Sequence, residues 1–518
     1  MATIQNPITE HREATRRLAL NLKGGEIFKW LMLEGYFPES YVLPPCFKVV
    51  KYPHKRKLFH PLPPNPRSPF SPTRRECIRV HFPKSEYTDR TFGVMHPEIH
   101  NDIAVHISKN WKKIVKAMIP NDSIVSAYSF PVPIDSKNPG RIGQLRSGRA
   151  IYEFIGMIDD DLASVAYRYT HLVKADIKNF YPSIYTHSIS WALHGKKRAR
   201  KPQNLRNNRL LGNRLDKLFQ NASDGCTNGI PIGPAVSDIA AELIAAAVDR
   251  LLSSAIKGQR LKCEVVRFKD DYRVLVKSES DGRKAIKFLQ AALKEFNLEL
   301  SDSKTSISTL PTGLFREWAS MYHASNPRKK RNYSWKEFRE LYLAVIRIDK
   351  ACPGTGVIDR FLADIVSKKG RLKVKIHAPN LQKVLSMLLM LATLRVKTFP
   401  KVMAIIEAVI RSPFGKIHEA EIVKHLEEYL RALSADNGEE RNKYLISWIS
   451  YFLVTNKLKR RLSFKPKYKD PITRSAFNNR AAIFKDCKEH SLFMSSLATG
   501  KKVSMLEYLD VFNPPKGL

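Results

Sequence analysis

Residues 174–181 read Lys-Ala-Asp-Ile-Lys-Asn-Phe-Tyr, and about ninety positions later residues 267–272 read Arg-Phe-Lys-Asp-Asp-Tyr. The first stretch lies in an apolar run from Leu172 to Ile177, which predicts a strand delivering Asp176 at its end. In the second, Glu264-Val-Val-Arg-Phe and Arg273-Val-Leu-Val flank Asp270-Asp271, which predicts a hairpin with the acidic pair at its tip. Laid side by side, the two elements bring three carboxylates to one edge. Such a cluster repels itself unless cations neutralise it, and hard oxygen donors suit Mg²⁺, with Mn²⁺ an alternative. Two ions about 4 Å apart activate a 3′ hydroxyl and stabilise a departing pyrophosphate. The pattern therefore implies a nucleotidyl transferase with a polymerase palm. Aspartate also ends strands for ordinary turn chemistry, so it is the pair of elements in this order that carries the reading.

The stretch between them reads Asn228-Gly-Ile-Pro-Ile-Gly-Pro-Ala-Val-Ser-Asp-Ile, followed by an alanine-rich run to Arg250. Gly229 and Gly233 bracket a rigid proline-containing loop, and the run behind it has helical periodicity with Ser237 or Asp238 as its cap. A glycine loop opening a helix suits close approach of backbone to a nucleotide or template strand. After the hairpin, an amphipathic helix over about 282–296 leads to Leu298-Glu-Leu-Ser-Asp-Ser-Lys-Thr, where Lys304 stands just before a further strand.

The order Asp176, Gly229-Ile-Pro-Ile-Gly-Pro, Phe268-Lys-Asp-Asp and Lys304-Thr resembles motifs A to D of reverse transcriptases. Residues 176–196, the glycine loop, Asp270-Asp-Tyr-Arg and the N-terminal Gly35-Tyr-Phe-Pro with Leu43-Pro-Pro-Cys-Phe look like prokaryotic abortive-infection and defence-associated members. The likeness covers roughly residues 15–310. It implies an α+β right-hand polymerase with fingers and palm, followed by an all-α helical array in place of an RNase H domain. It also implies a role in antiphage defence, which nothing in the chemistry of the residues does.

Carried over position by position, the resemblance makes Asp176 and Asp270 the main metal ligands and Asp271 the completion of the acidic cluster. Ile177, next to Asp176, is counted with the metal and nucleotide contacts. Tyr181 falls where these enzymes set a bulky aromatic against the sugar 2′ position, which favours deoxynucleotides; one of Phe180 and Tyr181 is expected in the core. Lys304 is placed to protonate or stabilise departing pyrophosphate. Arg141, Arg146 and Arg149 sit where fingers residues grip triphosphate, with Arg149 and then Arg146 favoured. Two departures stand out: Ile232 replaces a glutamine common in this loop, and Lys269 replaces a small or apolar residue beside the acidic pair. Ile232 points to relaxed template use, while Lys269 either holds primer phosphate or blocks it. Together with Gly229 and Gly233 these two complete the expected nucleotide contacts.

Composition agrees with a nucleic-acid partner. The 518 residues carry 88 Lys+Arg against 49 Asp+Glu, a formal charge of +39, which implies salt-sensitive binding to phosphate backbones. Expected partners are RNA, including a dedicated non-coding RNA, dNTPs and a DNA product. A homo-oligomer is expected, and no membrane. The six cysteines show no CxxC spacing, so neither a zinc site nor a disulfide framework is indicated. The N-terminus is unlike a signal peptide and no apolar run spans a bilayer, giving a cytoplasmic address. Domains are expected at 1–50 (helical), 51–89 (Pro-rich basic linker or arm), 90–315 (fingers and palm) and 316–518 (helical array). Asp159-Asp-Asp reads as a helix start. Beyond 315, helices are expected at 335–350, 356–369, 379–397, 400–411, 417–433 and 439–456. Tyr508 in the tail carries a hydroxyl that suits protein priming, although an ordinary tyrosine is the plainer reading. Priming by protein or template-independent addition stands beside RNA-templated synthesis. The alternatives are a group II intron-type retroelement enzyme and a non-catalytic RNA-binding scaffold.

Overall fold

In the computed structural model, which describes residues 6–83, 88–135, 137–143, 148–327, 330–367, 371–435, 440–464, 466–496 and Met505, the two acidic stretches become neighbouring strands. The fold is α+β, a five-stranded mixed sheet packed by helices and followed by a long run of further helices. Helices α1 (Pro7–Asn21) and α2 (Gly24–Leu33) precede a ribbon of β1 (Ile78–Pro83) and β2 (Asp89–Val94). Then come α3 (Pro97–Lys109), α4 (Trp111–Met118), β3 (Val125–Ala127), α5 (Gly148–Ala166) and β4 (His171–Asp176). Helices α6 (Phe180–Ser183), α7 (His187–His194), α8 (Lys196–Ala199), α9 (Leu211–Ala222) and α10 (Ala235–Gly258) lead to the hairpin β5 (Cys263–Phe268) and β6 (Asp271–Val276). Helix α11 (Glu279–Lys294) and β7 (Ser306–Thr309) complete the palm.

The sheet order is β3-β5-β6-β4-β7, antiparallel throughout except for β3 beside β5. Strand alternation sends Leu172, Val266 and Leu275 to one face, where Ile158, Leu162 and Val165 of α5 meet them. Val173, Ala175, Val265 and Val274 turn to the other face, covered by α10 and α11. By the same parity Asp176 and Asp271 point to the α5 side, and Arg267 points under α10. Helix α10 starts at Ala235, so Ser237 and Asp238 lie inside its first turn and do not cap it. Pro234 precedes the helix without a side-chain cap, and the Ala235 N–H is satisfied by the Gly35 carbonyl at 2.7 Å.

Asp159 also departs from expectation: it lies inside α5 and not at a helix start. It is tolerated there because Arg273 and Arg316 neutralise it at 2.6 and 3.0 Å, while Tyr128 donates to Asp161 at 2.6 Å.

The helical part runs α12 (Glu317–Ser325), α13 (Trp335–Ala351), α14 (Val357–Asp364), α15 (Ala378–Leu394), α16 (Phe399–Ile410), α17 (Pro413–Ile417), α18 (Glu419–Ala435), α19 (Glu440–Thr455) and α20 (Pro471–Asn478). Helix α13 opens with a reciprocal capping box between Ser334 and Glu337. Helix α14 stops five residues short of the expected 369; Val366 pairs instead with Leu372. Among the described residues no helix is long and apolar enough to cross a membrane.

The Pro-rich segment has no regular structure but is fastened to the protein. Phe59 and His60 N–H groups both donate to the Asp102 carboxylate of α3 at 2.8 Å, and Asn208 N–H reaches the Pro66 carbonyl at 2.9 Å. The N-terminal segment also meets the last helices. Val50 N–H donates to Ser491, Met494 N–H to Cys46, and the Tyr444 hydroxyl to the Tyr41 carbonyl, at 2.7, 2.8 and 2.6 Å. One continuous apolar core joins these regions.

Candidate active site

Register places Asp176 directly opposite Asp271 on adjacent strands, with Asp270 at the hairpin tip. Ile177 extends the pairing, its N–H donating to the Asp270 carbonyl at 3.1 Å. The Asp176 carbonyl accepts from Ser301, which brings the Lys304 turn alongside, and Lys304 Nζ lies 2.8 Å from Asp176 Oδ2. Asp176, Asp270, Asp271 and Lys304 therefore meet at one end of the sheet. The Lys304 stem remains half exposed.

Charge crowding shows in the acidities. Asp271, exposed at the start of β6 yet crowded by its neighbours, is pushed up to about 7 by partial desolvation, by Asp270 and by Asp176. Asp270 rises through burial and then Asp176. The Lys304 ammonium is held above its usual range by the bond to Asp176, against the cost of burial. Three carboxylates facing one lysine leave uncompensated negative charge, and the all-oxygen donor set fits a hard divalent cation. Lys304, bonded to Asp176, offsets part of this charge.

The hairpin rests on a buried ionic cluster that sequence reading missed. Arg267 is fully buried. Its guanidinium donates to Glu242 at 2.6 and 3.1 Å, to Asp249 at 2.9 Å, and to the Lys269 carbonyl at 2.9 Å. Tyr272 donates to Asp249 at 2.7 Å and Ser129 to Glu242 at 3.3 Å. Two acids at i and i+7 on the predicted alanine-rich helix, with a lone arginine in an apolar strand, were the available signal. Lys269 itself turns the hairpin with φ +54°, its N–H donating to Ser129 Oγ at 2.8 Å.

Tyr181 lies beside the cluster. A left-handed Asn179 (φ +46°) starts α6; Phe180 goes into the core, while Tyr181 is half-buried with its hydroxyl 2.5 Å from Asp238 Oδ1. Burial and then the Asp238 charge hold this phenol well above its usual range. The glycine loop is fastened to the same place: Gly229 N–H donates to Ile184 and Ile230 N–H to Tyr181, at 2.8 and 3.1 Å. Gly233 has φ +122°, and an added Cβ would sit 2.7 Å from Pro38 Cγ. The Ile232 carbonyl accepts from Gly93 of β2 at 2.9 Å, and its side chain packs on the core. The loop thus bridges palm, fingers ribbon and the Gly35 segment. Arg141 lies exposed after a turn at Asn138, Arg149 stands in α5 with its side chain outside the described residues, and Arg146 and Tyr508 lie outside them altogether.

This geometry is that of a polymerase palm. Residues 110–337 match the family model described as reverse transcriptase (RNA-dependent DNA polymerase). The match reaches from α4 into α13. Two solved structures show a weak likeness, at 10% identity each. One is telomerase from Candida albicans with a fragment of telomeric RNA (55% of this chain, 51% of that chain, TM-score 0.24); the other is apo telomerase from Candida tropicalis (84%, 72%, 0.31). The chain spans about half the length of the Candida albicans protein. No curated protein matches the chain significantly.

Proposed function

We propose that this chain synthesises DNA by nucleotidyl transfer at the Asp176–Asp270–Asp271 cluster. The observation that carries the proposal is Asp176 facing Asp271 across paired strands, with Asp270 at the tip and Lys304 on Asp176. Divalent ions, Mg²⁺ by preference, would be held by these carboxylates together with Ile177, and when bound they would lower the acidity of a primer hydroxyl and offset charge on the phosphates. Lys304 is a half-exposed cation able to yield a proton to departing pyrophosphate. The ring of Tyr181, fixed through Asp238, would stand against a ribose 2′ hydroxyl, the role the motif resemblance implies. The Gly229–Gly233 loop, stiffened by its hydrogen bonds to Ile184 and β2, offers backbone to the nascent pair. Arg149 and Arg146 are assigned to triphosphate, and Lys269 either holds primer phosphate or blocks it.

The template is RNA, and the +39 charge supports a long nucleic-acid contact beyond the active site. Likeness of motifs A to D to defence-associated enzymes supports an antiphage role in the cytoplasm, with a dedicated non-coding RNA or protein-primed synthesis, by an oligomer. The deciding experiment is incorporation of each labelled dNTP and NTP by purified protein with Mg²⁺, before and after nuclease treatment, with Asp270→Ala/Asp271→Ala as control. Incorporation of dNTPs that needs the acidic pair supports the proposal. Folded protein with bound RNA and no incorporation overturns it in favour of a scaffold.

A further inference from the structure

Among the described residues, the group of His, Cys and acidic side chains with metal-ligand spacing lies away from the palm, at His96, Asp486 and Cys487. His96 precedes α3 in the N-terminal half; the other two follow α20. His96 Nε2 stands 3.3 Å from Cys487 Sγ and 3.3 Å from Asp486 Oδ2, and Cys487 Sγ stands 3.9 Å from Asp486 Oδ1. With Zn–S near 2.3 Å and Zn–N or Zn–O near 2.0–2.1 Å, the edges of a tetrahedral site are roughly 3.3–3.6 Å. The histidine–cysteine and histidine–aspartate separations match such edges, and one donor atom from each of the three residues lies within 4.8 Å of the others.

A second observation points the same way. His490, three residues past Cys487, is 8% exposed, and neither of its ring nitrogens has a hydrogen-bond partner. Buried imidazole nitrogens are ordinarily satisfied. The turn in which His490 N–H donates to the Cys487 carbonyl at 3.3 Å puts the two residues at Cys-x-x-His spacing. His96 Nδ1, also without a hydrogen-bond partner, lies 3.9 Å from Glu98, the place of a carboxylate that orients a ligating histidine. Arg75 sits 3.2 Å from Asp486 and 3.6 Å from Glu98, balancing the remaining negative charge.

We propose that His96, Asp486 and Cys487, with His490 turning in as the fourth ligand, hold a structural zinc ion that fastens the end of the helical array to the start of α3. Thiolate with imidazoles selects zinc over the Mg²⁺ suited to the palm. Residues 390 positions apart supply the ligands, which is why cysteine spacing along the chain did not reveal the site.

The test uses full-length protein purified without chelator. Elemental analysis should find about one zinc per chain. Exchange with Co²⁺ should give a thiolate charge-transfer band and the strong d–d absorption of a tetrahedral ion. Cys487→Ser should abolish the charge-transfer band, His490→Ala should lower zinc occupancy, and Asp270→Ala/Asp271→Ala should leave both unchanged. If Cys487→Ser does not fold, the cobalt spectrum of the parent and the zinc content of His490→Ala decide. Folded parent without zinc and without a cobalt–thiolate band overturns the proposal, as does a band that survives Cys487→Ser or a zinc content unaltered in His490→Ala.

Discussion

Replacing Arg267 with Met tests whether the acidic pair is held in place from beneath. The guanidinium is wholly buried and is the cationic partner of Glu242 and Asp249, which are 6% and 3% exposed. Removing it strands two carboxylates, and breaking a buried ion pair at one partner costs about 3–5 kcal/mol. It also releases the Lys269 carbonyl, so the turn bearing Asp270 loses an anchor at 2.9 Å. Displacement of a catalytic group by about 1 Å costs on the order of a hundredfold in rate. The assays are the denaturant midpoint and metal-dependent dNTP incorporation. The penalty should shrink by about 0.5–3 kcal/mol in a Glu242→Gln/Asp249→Asn background, where no charge is stranded. It should also be smaller at acid than at alkaline pH. Burial already raises Glu242, so its proton is bound at low pH and that contribution to stability is lost as pH rises through the folded-state value. A variant within about 0.5 kcal/mol of the parent, as for a surface change, would refute the reasoning. An equal penalty in both backgrounds would do so as well.

Because Asp271 titrates near 7 in the folded chain against an ordinary 3.8, its protonated form contributes stability below about pH 4 that fades as pH rises through 7. Mg²⁺ displaces that proton, so the rise in Tm on adding Mg²⁺ should grow from pH 5 to pH 7 and then level off; a pH-independent rise would contradict it. Tyr181→Ala should increase NTP relative to dNTP incorporation by about ten- to a hundredfold, whereas Tyr181→Phe keeps the ring and should alter that ratio little. Gly233→Ala forces a side chain onto Pro38 at a left-handed position and should cost about 1–3 kcal/mol by denaturation. Gly258→Ala, where nothing lies within 4 Å, should be neutral or slightly stabilising.

The strands of the palm were legible because short apolar runs were bounded by aspartates, and side-by-side pairing brings Asp176 opposite Asp271. The long helices beyond 315 were legible for a similar reason: α13, α16 and α19 fall within a residue or two of their periodic patterns. What escaped were contacts between distant stretches. Nothing in Asp238 announces Tyr181, and nothing in Gly35 announces the N-terminus of α10. The Pro-rich segment read as a linker or arm because composition excludes regular structure, yet its N–H groups find Asp102 through the fold. Asp159 looked like a helix start because its arginine partners are 114 and 157 residues away.

The same sheet carries two clusters of charge on opposite faces, and their difference explains how the site is made. Beneath it, each oxygen of Glu242 and Asp249 meets a guanidinium or hydroxyl donor, so the cluster is closed by hydrogen bonds. Above it, three aspartates have Lys304 as their one bonded cation among the described residues, and Asp271 holds its proton up to about 7. An under-compensated cluster at a surface is unstable in proportion to its charge, and binding a divalent cation is the route that relieves it without rebuilding the fold. The closed cluster keeps the hairpin from relaxing away from that repulsion. Rigid support below and unrelieved charge above are therefore one arrangement: weakening Arg267 should lower metal affinity as well as stability, although Arg267 touches no metal ligand through its side chain.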